Sequence, residues 1–375
     1  MNFQLIGVEM TSSLAIFIPS LDGGGAERVM LNLADGFATQ GAKVSLVLVK
    51  AEGPYLSQVS SQIKLVTLGN QQKLLLSFPE LINYLRREQP VAMLCGQEDA
   101  NIVALWAKQL IKVSTQMVVI VHNHLSRDAQ TSTQLKRQLT PHLVRWFYPW
   151  ADRIVAVSQG VAEDLVALGL PKDKIRAIYN PVVTAELHHQ AREPVSHSWF
   201  APDQPPVIMG AGRLEHQKDF PTLIRAVAKL QQHRLVRLMI LGEGKKRSEL
   251  EALVRELGLT DSVALPGFVS NPYAYMARAA VFVLSSIWEG FGNVLVEAIA
   301  VGTPVVATDC KSGPAEILAN GQYGKLVAVG DVAGMADAIA QTLDCPPSPL
   351  ELQRRADEFS TTKVLAEYRQ ILQVT

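Results

Sequence analysis

Short apolar runs alternate with longer helix-like segments along nearly the whole chain, and this alternation limits the fold more than any other feature. The runs are rich in valine, isoleucine and leucine without polar alternation, which is typical of strands buried on both faces of a mostly parallel sheet. We predict strands at residues 14–18, 43–49, 91–95, 117–121, 153–157, 207–210, 235–241, 262–265, 280–284 and 304–307.

Helical periodicity fills the segments between these strands, at residues 26–40, 100–111, 220–232, 246–257 and 293–300. Alternating β and α elements indicate a doubly wound α/β fold. The 375 residues exceed what one core usually serves, so two domains are expected. Two such halves would face an interdomain cleft, with the C-terminal ends of both sheets turned towards it.

The periodicity is interrupted at residues 180–206, where prolines stand at 181, 194, 202, 205 and 206. Such a stretch is typical of a connection between domains. We therefore predict an N-terminal Rossmann-like domain at 1–185 and a second Rossmann-like domain at 186–358. A C-terminal helix at 359–375 would pack back on the first domain.

Charge and cysteine content exclude several classes of function. Lys plus Arg and Asp plus Glu both number 35, so no basic field is available to gather nucleic acid. Cys95, Cys310 and Cys345 are odd in number and widely spaced, which suits a reducing cytoplasm rather than a zinc site. Residues 1–13 lack the pattern of a signal peptide, and Met10 is an alternative start. No apolar window is long enough to span a membrane, and we expect a cytoplasmic protein.

The first candidate site is Gly23, Gly24 and Gly25, directly after the first predicted strand. Glycines let backbone amides approach a ligand without a Cβ in the way, and the following helix directs its positive end at the loop. The spacing is not GxGxxG, so the dinucleotide-binding pattern is absent. A plain tight turn is the alternative interpretation.

The second candidate joins Arg213 and Lys218 in the loop after the predicted strand at 207–210. An arginine fork and a compact lysine charge at a strand's C-terminal end suit a diphosphate. Two solvated surface charges are the alternative.

The third candidate is the segment 288–297, WEGFGNVLVE. We predict that Asn293 caps a helix at 294–300, with Glu289 in the loop before it and Glu297 about one turn inside. Gly290 and Gly292 would expose amides between the two carboxylates. Carboxylates for hydroxyl groups and amides for phosphate are together what a nucleotide-sugar needs.

His122 and His124 follow the predicted strand at 117–121 and form a fourth candidate. A neutral imidazole at a strand end can bind a hydroxyl of a donor sugar or of an acceptor. No DxD pair is present for Mg²⁺ or Mn²⁺, so we expect neither a metal nor another cofactor. Arg213, Lys218 and the helix amides would carry the charge of the leaving group instead.

Nine blocks in order along the chain resemble the retaining glycosyltransferase family 4, which has the GT-B fold, and within it the enzymes of capsule, O-antigen and exopolysaccharide assembly. They are GGGAER (23–28), VHNH (121–124), SQG (158–160), YNPV (179–182), GRLEHQKDF (212–220), LGEG (241–244), LPGFV (265–269), EGFGNVLVE (289–297) and GTPVVATDCKSGPAEIL (302–318).

The resemblance implies a role for each matching residue. Glu297 would hold the ribose hydroxyls, Glu289 the hydroxyls of the transferred sugar, and Arg213 with Lys218 the diphosphate. Phe268 and Val269 resemble the base-binding segment, and the assignment of the cleft histidine stays open between His122 and His124. The remaining residues implied in donor binding are Gly24, Gly25, Gly290, Phe291, Gly292, Asn293, Val294 and Leu295.

The resemblance further implies a nucleotide-sugar donor, with UDP expected from its frequency in the family, and a glycan or lipid-linked saccharide acceptor. The domain at 186–358 would bind the nucleotide-sugar, and the domain at 1–185 would lie on the acceptor side. Residues 132–150 combine basic and aromatic side chains in a way that suits peripheral contact with the inner membrane surface. Pro141 is expected to break this helix, which weakens the amphipathic interpretation. Aromatics that pack inside the domain are the alternative.

Two other functions stay open from the sequence. A nucleotide-sugar 2-epimerase-like isomerase would share the donor site but would need further acid/base carboxylates. A non-catalytic nucleotide-sugar-binding protein would be expected to lack Arg213, Lys218 or Glu289, and all three are present.

Overall fold

The computed structural model describes residues 13–69 and 73–372. The expectation that the N-terminal segment is not a signal peptide, and the alternative start at Met10, concern residues that lie almost wholly outside this part. The chain divides into two compact units. Unit 1 runs up to Pro181 and resumes at Thr361, and unit 2 is Val182–Ser360.

Unit 1 is built on a seven-stranded sheet in the order β3-β2-β1-β4-β5-β6-β7, in which every neighbouring pair is parallel. Its strands are β1 (Ser13–Ile18), β2 (Lys43–Leu48), β3 (Lys64–Thr67), β4 (Ala92–Gly96), β5 (Gln116–Val121), β6 (Arg153–Ala156) and β7 (Ile175–Ala177). Its first six helices are α1 (Gly25–Thr39), α2 (Phe78–Glu88), α3 (Glu98–Ile111), α4 (Leu125–Thr131), α5 (Leu135–Phe147) and α6 (Gln159–Ala167).

Unit 2 repeats this plan with a six-stranded parallel sheet in the order β10-β9-β8-β11-β12-β13. The strands are β8 (Val207–Ala211), β9 (Arg237–Leu241), β10 (Val263–Gly267), β11 (Val281–Leu284), β12 (Val305–Thr308) and β13 (Lys325–Val327). The helices are α7 (Ala185–Gln190), α8 (Phe220–Gln231), α9 (Arg247–Glu256), α10 (Pro272–Met276), α11 (Asn293–Ala300), α12 (Pro314–Ile317), α13 (Val332–Asp344) and α14 (Pro349–Ala356).

The last helix, α15 (Thr361–Leu372), belongs to unit 1. It packs against α1, where Gly36 lies so close to Thr361 and Leu365 that any side chain at 36 would collide with them. The side chain of Gln116, at the start of β5, donates a hydrogen bond of 2.8 Å to the Ile371 carbonyl oxygen. The end of the chain thus completes the first unit rather than the second.

The central strands are buried on both faces, as their uninterrupted apolar sequences predict; β4 and β8 are buried at every position. The sequence missed the three short strands β3, β7 and β13, which lie at sheet edges. These strands are only three or four residues long and partly exposed, so they carry no long apolar run. An edge strand needs only one neighbour, and its composition is correspondingly mixed.

Two local predictions are wrong. Pro141 does not break the helix at 132–150: it lies inside α5, which continues to Phe147. Packing of α5 against α3 and α4 holds the helix together although proline removes one backbone donor. Asn293 is not the cap of α11 but its first residue, and the cap is Gly292. Gly292 has a φ of +104°, a conformation that glycine adopts far more readily than asparagine.

Candidate functional site

In unit 2, the candidate site forms where the loops after β8 and β11 meet, because these two strands are neighbours in the sheet. Hydrogen bonds join the loops along their length. The Ile287 amide donates to the Gln217 carbonyl, and the Gln217 side chain donates to the Trp288 carbonyl, both at 2.8 Å. The Ser285 hydroxyl donates to the Lys218 carbonyl at 2.7 Å. The two loops are therefore held as one structure.

Lys218 and Glu289 form an ion pair at the centre of this structure. Lys218 Nζ donates to Glu289 Oε1 at 2.5 Å, and the Ser286 hydroxyl donates to the same oxygen at 2.6 Å. The side chains of Lys218 and Glu289 are only 16% and 8% exposed. Charge-assisted hydrogen bonds of this kind fix both groups in place.

The backbone and the neighbouring thiol complete the surroundings of Glu289. Its amide donates to the Lys311 carbonyl, and its own carbonyl accepts from the Ser312 amide, both at 2.8 Å. Burial, and then the nearby Glu289 carboxylate, raises the pKa of the Cys310 thiol to about 12. Cys310 therefore stays protonated and is a poor nucleophile.

The start of α11 lies directly beyond this pair. Gly292 caps the helix, and Glu297 follows on its second turn with 9% of its surface exposed. The ring of Phe291 is 2% exposed and packs edge-on against Phe359, with ring centroids 5.4 Å apart. The ring of Phe291 is therefore part of the packed interior of unit 2. Asn293 and Val294 are half-buried on the first turn, whereas Leu295 is buried.

Arg213 lies in the same loop as Lys218, with an exposed side chain, and takes part in none of the ion pairs among the described residues. The structure thus joins Lys218 to Glu289 and leaves Arg213 outside their pair. A Cβ at Gly212 would lie 3.1 Å from Lys218 Cε, so the aliphatic part of the Lys218 side chain packs over Gly212. Phe268 is 59% exposed directly after β10, and Val269 is half-buried.

In unit 1, the two candidate histidines after β5 differ sharply. Neither ring nitrogen of His122 has a hydrogen-bond partner among the described residues. Burial lowers the pKa of His122 to about 4, so the ring is neutral at physiological pH. His124 instead places Nδ1 3.2 Å from Asp164 Oδ2. Burial alone would raise the pKa of Asp164, but its contacts with His124 and Ser126 outweigh it, and the pKa is lowered.

The glycine loop of unit 1, residues 23–25, is covered at Gly24 by the side chain of Glu27 from α1, the helix that begins in this loop. The position that a Cβ on Gly24 would take is already filled by the carboxylate of Glu27. Gln97, at the end of β4, donates to Glu27 Oε1 at 2.8 Å, and Tyr55 donates from its hydroxyl to the Gly23 carbonyl at 3.2 Å. Gly24 is the N-cap of α1 and Gly25 its first residue.

Sequence reasoning missed three of these polar partners: Ser286, Glu27 and Gln97. Glu27 was visible as part of GGGAER, but its fold back over Gly24 was not. Ser286 and Gln97 follow apolar strands, a position that signals a site in parallel sheets. Gln97 also has a φ of +84°, which is unusual for a side-chain-bearing residue and marks a constrained turn.

Within 13–69 and 73–372, no three side chains of His, Cys, Asp or Glu cluster as ligands for a metal ion. Over the same residues, none of the helices combines the length and the apolar character that crossing a bilayer requires.

Comparison with known families divides the chain into the same two halves. Residues 23–186 match the model described as Glycosyltransferase Family 4, and residues 192–360 match the model described as Glycosyl transferases group 1.

Two curated relatives align over most of the chain. One is the N-acetylgalactosamine-N,N'-diacetylbacillosaminyl-diphospho-undecaprenol 4-alpha-N-acetylgalactosaminyltransferase of Campylobacter jejuni, 31% identical over 88% of this chain and 90% of the relative. The other is the lipopolysaccharide core biosynthesis glycosyltransferase LpsE of Rhizobium meliloti, 29% identical over 93% and 96%.

Among solved structures, the HepE protein of Anabaena in complex with UDP-glucose superposes with a TM-score of 0.80 at 20% identity. The match covers 97% of this chain and 100% of that one. Together with the two parallel sheets, this likeness confirms the predicted α/β GT-B fold class.

Proposed function

Because the chain belongs to the glycosyltransferases of family 4 and group 1, and is a hexosyltransferase, we propose the reaction that it catalyses. It transfers a hexose or N-acetylhexosamine from a UDP-sugar to a glycan or lipid-linked saccharide, with retention of anomeric configuration and without a metal ion. The observation that carries this proposal is the buried Lys218–Glu289 pair beside the start of α11.

The pair supports donor binding because it places opposite charges where a sugar diphosphate needs them. Glu289 Oε2 would accept hydrogen bonds from hydroxyls of the transferred sugar, while Lys218 would face the phosphates. Arg213, exposed in the same loop, has its guanidinium available for the second phosphate. Glu297 would hold the ribose hydroxyls, and Phe268 with Val269 would flank the base.

The leaving UDP acquires negative charge as the glycosidic bond breaks. Lys218, Arg213 and the amides of Gly290, Gly292 and Asn293 would stabilise this charge without a metal ion. Cys310, the nearest thiol, is protonated and is not offered as a nucleophile. We propose that the departing diphosphate itself accepts the acceptor's proton on the same face of the sugar, which gives retention.

Unit 1 would supply the acceptor side. We assign the site histidine to His122 rather than His124, since His122 has unused ring nitrogens and His124 faces Asp164. A neutral imidazole offers one donor and one acceptor to sugar hydroxyls. Gly24 and Gly25 would approach the donor by their backbones, after displacement of the Glu27 carboxylate that now covers Gly24.

The names of the relatives support the proposed substrates. The Campylobacter relative is named for a diphospho-undecaprenol acceptor and the Rhizobium relative for lipopolysaccharide core biosynthesis. HepE was solved with UDP-glucose. We therefore propose a role in polysaccharide biosynthesis, in the cytoplasm and in peripheral contact with the inner face of the membrane, where such lipid-linked acceptors present their sugars.

The test is a panel of UDP-, GDP- and TDP-sugars, each assayed for a shift in Tm and for slow hydrolysis in the absence of acceptor. A UDP-sugar should give both, without added metal and in the presence of EDTA. If the anomeric configuration is retained, NMR of the released sugar, recorded before mutarotation, should show the same anomer as the donor. Stabilisation by GDP- or TDP-sugars alone, or loss of activity in EDTA, would refute the corresponding part of the proposal.

The same panel distinguishes the proposed transfer reaction from the two other functions that the sequence leaves open. A 2-epimerase-like isomerase would convert the UDP-sugar into its epimer without an acceptor. A non-catalytic binding protein would be stabilised by the donor but would release no UDP with any acceptor.

A further inference from the structure

Helix α5 of unit 1 carries a row of exposed residues along its outer side. Leu135, Leu139, His142 and Trp146 are spaced at four, three and four residues, so they lie on one face of the helix. Leu135 is 68%, Leu139 46% and Trp146 67% exposed. We call these four residues the outer stripe. A helix on the surface of a domain normally turns polar residues outward, and here the outward face is largely apolar.

The opposite face of α5 already has its core contacts. Val144 is completely buried there, and Phe147 packs edge-on against Trp106 of α3, with centroids 5.3 Å apart. The outer stripe is therefore a second apolar face, which the described residues of unit 1 leave largely uncovered. The unbroken path of α5 through Pro141 is what aligns the stripe from Leu135 to Trp146.

Further exposed apolar side chains lie on α3, which packs against α5, and on segments that contact α3 or follow α5. On α3, Trp106 and Leu110 lie one turn apart and are 39% and 64% exposed. Trp150, directly after α5, is 39% exposed and contacts Phe147 at 5.1 Å between centroids. The 3-10 helix Leu74–Ser77 contacts α3 and exposes Leu75 and Leu76 by 64% and 55%. Exposed apolar side chains on several neighbouring elements are typical of an interaction site.

The α5 segment itself contains basic but no acidic residues. No Asp or Glu occurs between Asp128 and Asp152, whereas α5 contains Lys136, Arg137 and Arg145. Lys136 and Arg137 form exposed ion pairs with Asp99 and Asp128, which offset part of their charge. Arg145, beside Trp146, forms no ion pair among the described residues, and Lys112 is exposed at the end of α3.

We propose that the outer stripe and its neighbours on α3 and at 74–77 dock on an anionic lipid bilayer. Leucine and tryptophan side chains would enter the boundary between headgroups and acyl chains, and the basic residues would contact lipid phosphates. Arg145 and Lys112, here called the basic rim, form no ion pair among the described residues, and they favour an anionic lipid surface over a second copy of this chain, whose corresponding face would carry the same two positive charges. The inference rests on the proposed location at the membrane and names the surface that holds the protein there.

The experiment measures co-sedimentation of the protein with vesicles of phosphatidylethanolamine and phosphatidylglycerol. The triple variant Leu135→Ser, Leu139→Ser, Trp146→Ser should bind these vesicles at least about tenfold more weakly than the wild type, since three anchoring side chains are lost. The matched control is Leu235→Ser with Leu350→Ser: both leucines are exposed in unit 2, at 73% and 55%, and this variant should bind as the wild type does.

The wild type should also bind phosphatidylcholine vesicles about tenfold more weakly than anionic ones, because the basic rim loses its partner. Equal binding of the triple variant and the wild type, or absence of wild-type binding to anionic vesicles, would overturn the proposal. So would a concentration-dependent dimer that the triple variant abolishes while vesicle binding is absent.

Donor hydrolysis and donor-induced shifts in Tm, measured without vesicles, separate this inference from the proposed reaction. The triple variant should keep both at the wild-type level, which also shows that it is folded. If the wild type binds vesicles but hydrolyses no nucleotide-sugar, the reaction fails and the docking surface stands. If it hydrolyses the donor but binds no vesicle, the reaction stands and the docking surface fails.

Discussion

Unit 1 and unit 2 share the same parallel architecture, yet the polar side chains that follow their strands differ in how many hydrogen-bond partners they have. In unit 2, Glu289 is paired with Lys218 and hydrogen-bonded to Ser286 before any ligand arrives. In unit 1, His122 lies with two ring nitrogens that have no partner among the described residues. Unit 2 holds a preassembled charged site, whereas unit 1 holds a neutral imidazole to which the described residues supply no hydrogen-bond partner.

Because of this difference, substitutions in the two units should affect ligand binding and folding stability in different ways. Polar groups that satisfy one another contribute to the folded state and lose little when they receive a ligand. A buried imidazole without partners costs stability, and a ligand that hydrogen-bonds to it recovers that cost. Substitutions in unit 2 should therefore affect catalysis and stability together, whereas substitutions at His122 should separate the two.

The largest effect is expected in unit 2. Lys218→Ala and Glu289→Gln should each abolish measurable transfer, with turnover reduced by about 10²–10³-fold or more, because the charge that stabilises the leaving group or orients the sugar is lost. Lys218→Ala should also lower the Tm, since it leaves the Glu289 carboxylate buried without its cation. Steady-state kinetics and thermal melts measure both.

Lys246→Ala is the control for these variants, because Lys246 forms an exposed ion pair with Glu249 in the same unit. It should leave turnover and Tm unchanged. Wild-type turnover in either Lys218→Ala or Glu289→Gln would refute the assignment of the donor site.

The next effect concerns the pH dependence of unit 1. The pKa of His122 falls from 6.5 unfolded to about 4 folded, so the unfolded chain binds more protons between these values. The free energy of unfolding should therefore decrease as the pH falls through this window, by about 2–3 kcal/mol from this residue. Urea unfolding of the wild type and of His122→Gln at several pH values isolates the contribution as a difference. Parallel curves for the two proteins would contradict the burial of a neutral His122.

A smaller effect is expected on turnover at His122. His122→Ala should lower kcat/KM by about 10–100-fold, through loss of one or two hydrogen bonds to sugar hydroxyls. Its Tm at neutral pH should not fall as that of Lys218→Ala does, since no polar partner is lost. His124→Ala is the comparison: it removes the group facing Asp164, so it should lower the Tm and affect turnover less. The reverse ranking in turnover would assign the site to His124.

The smallest effect should come from Ser286→Ala. The hydroxyl donates one of the two hydrogen bonds to Glu289 Oε1, while Lys218 retains the other. We expect a loss of about 1 kcal/mol in the free energy of unfolding and less than about tenfold in turnover. Ser285→Ala, which removes a bond to a backbone carbonyl instead, tests whether the effect is specific to the carboxylate.

Much of the fold could be predicted from sequence because its signals are local. Residues 117–121 are apolar at every position, and they form the buried strand β5. The helix before Gly302 was predicted, but its cap was placed one residue late, at Asn293. The cap position has a positive φ, which favours Gly292 over a residue with a good capping side chain. The helix break predicted at Pro141 is absent, because packing along α5 outweighs the local cost of a proline inside the helix.

The sequence by itself determined the two α/β halves, the strand ends where the site residues stand, and the family to which the chain belongs. Only the tertiary structure decided which of these residues meet. Lys218 and Glu289 are 71 residues apart and Glu27 and Gln97 are 70 apart. Each pair forms because its strands, β8 with β11 and β1 with β4, are neighbours in the sheet although they are not consecutive in the chain. Strand order, the isolation of His122 and the exposure of the outer stripe depend on what packs beside each residue, and that is decided by contacts far apart in the sequence.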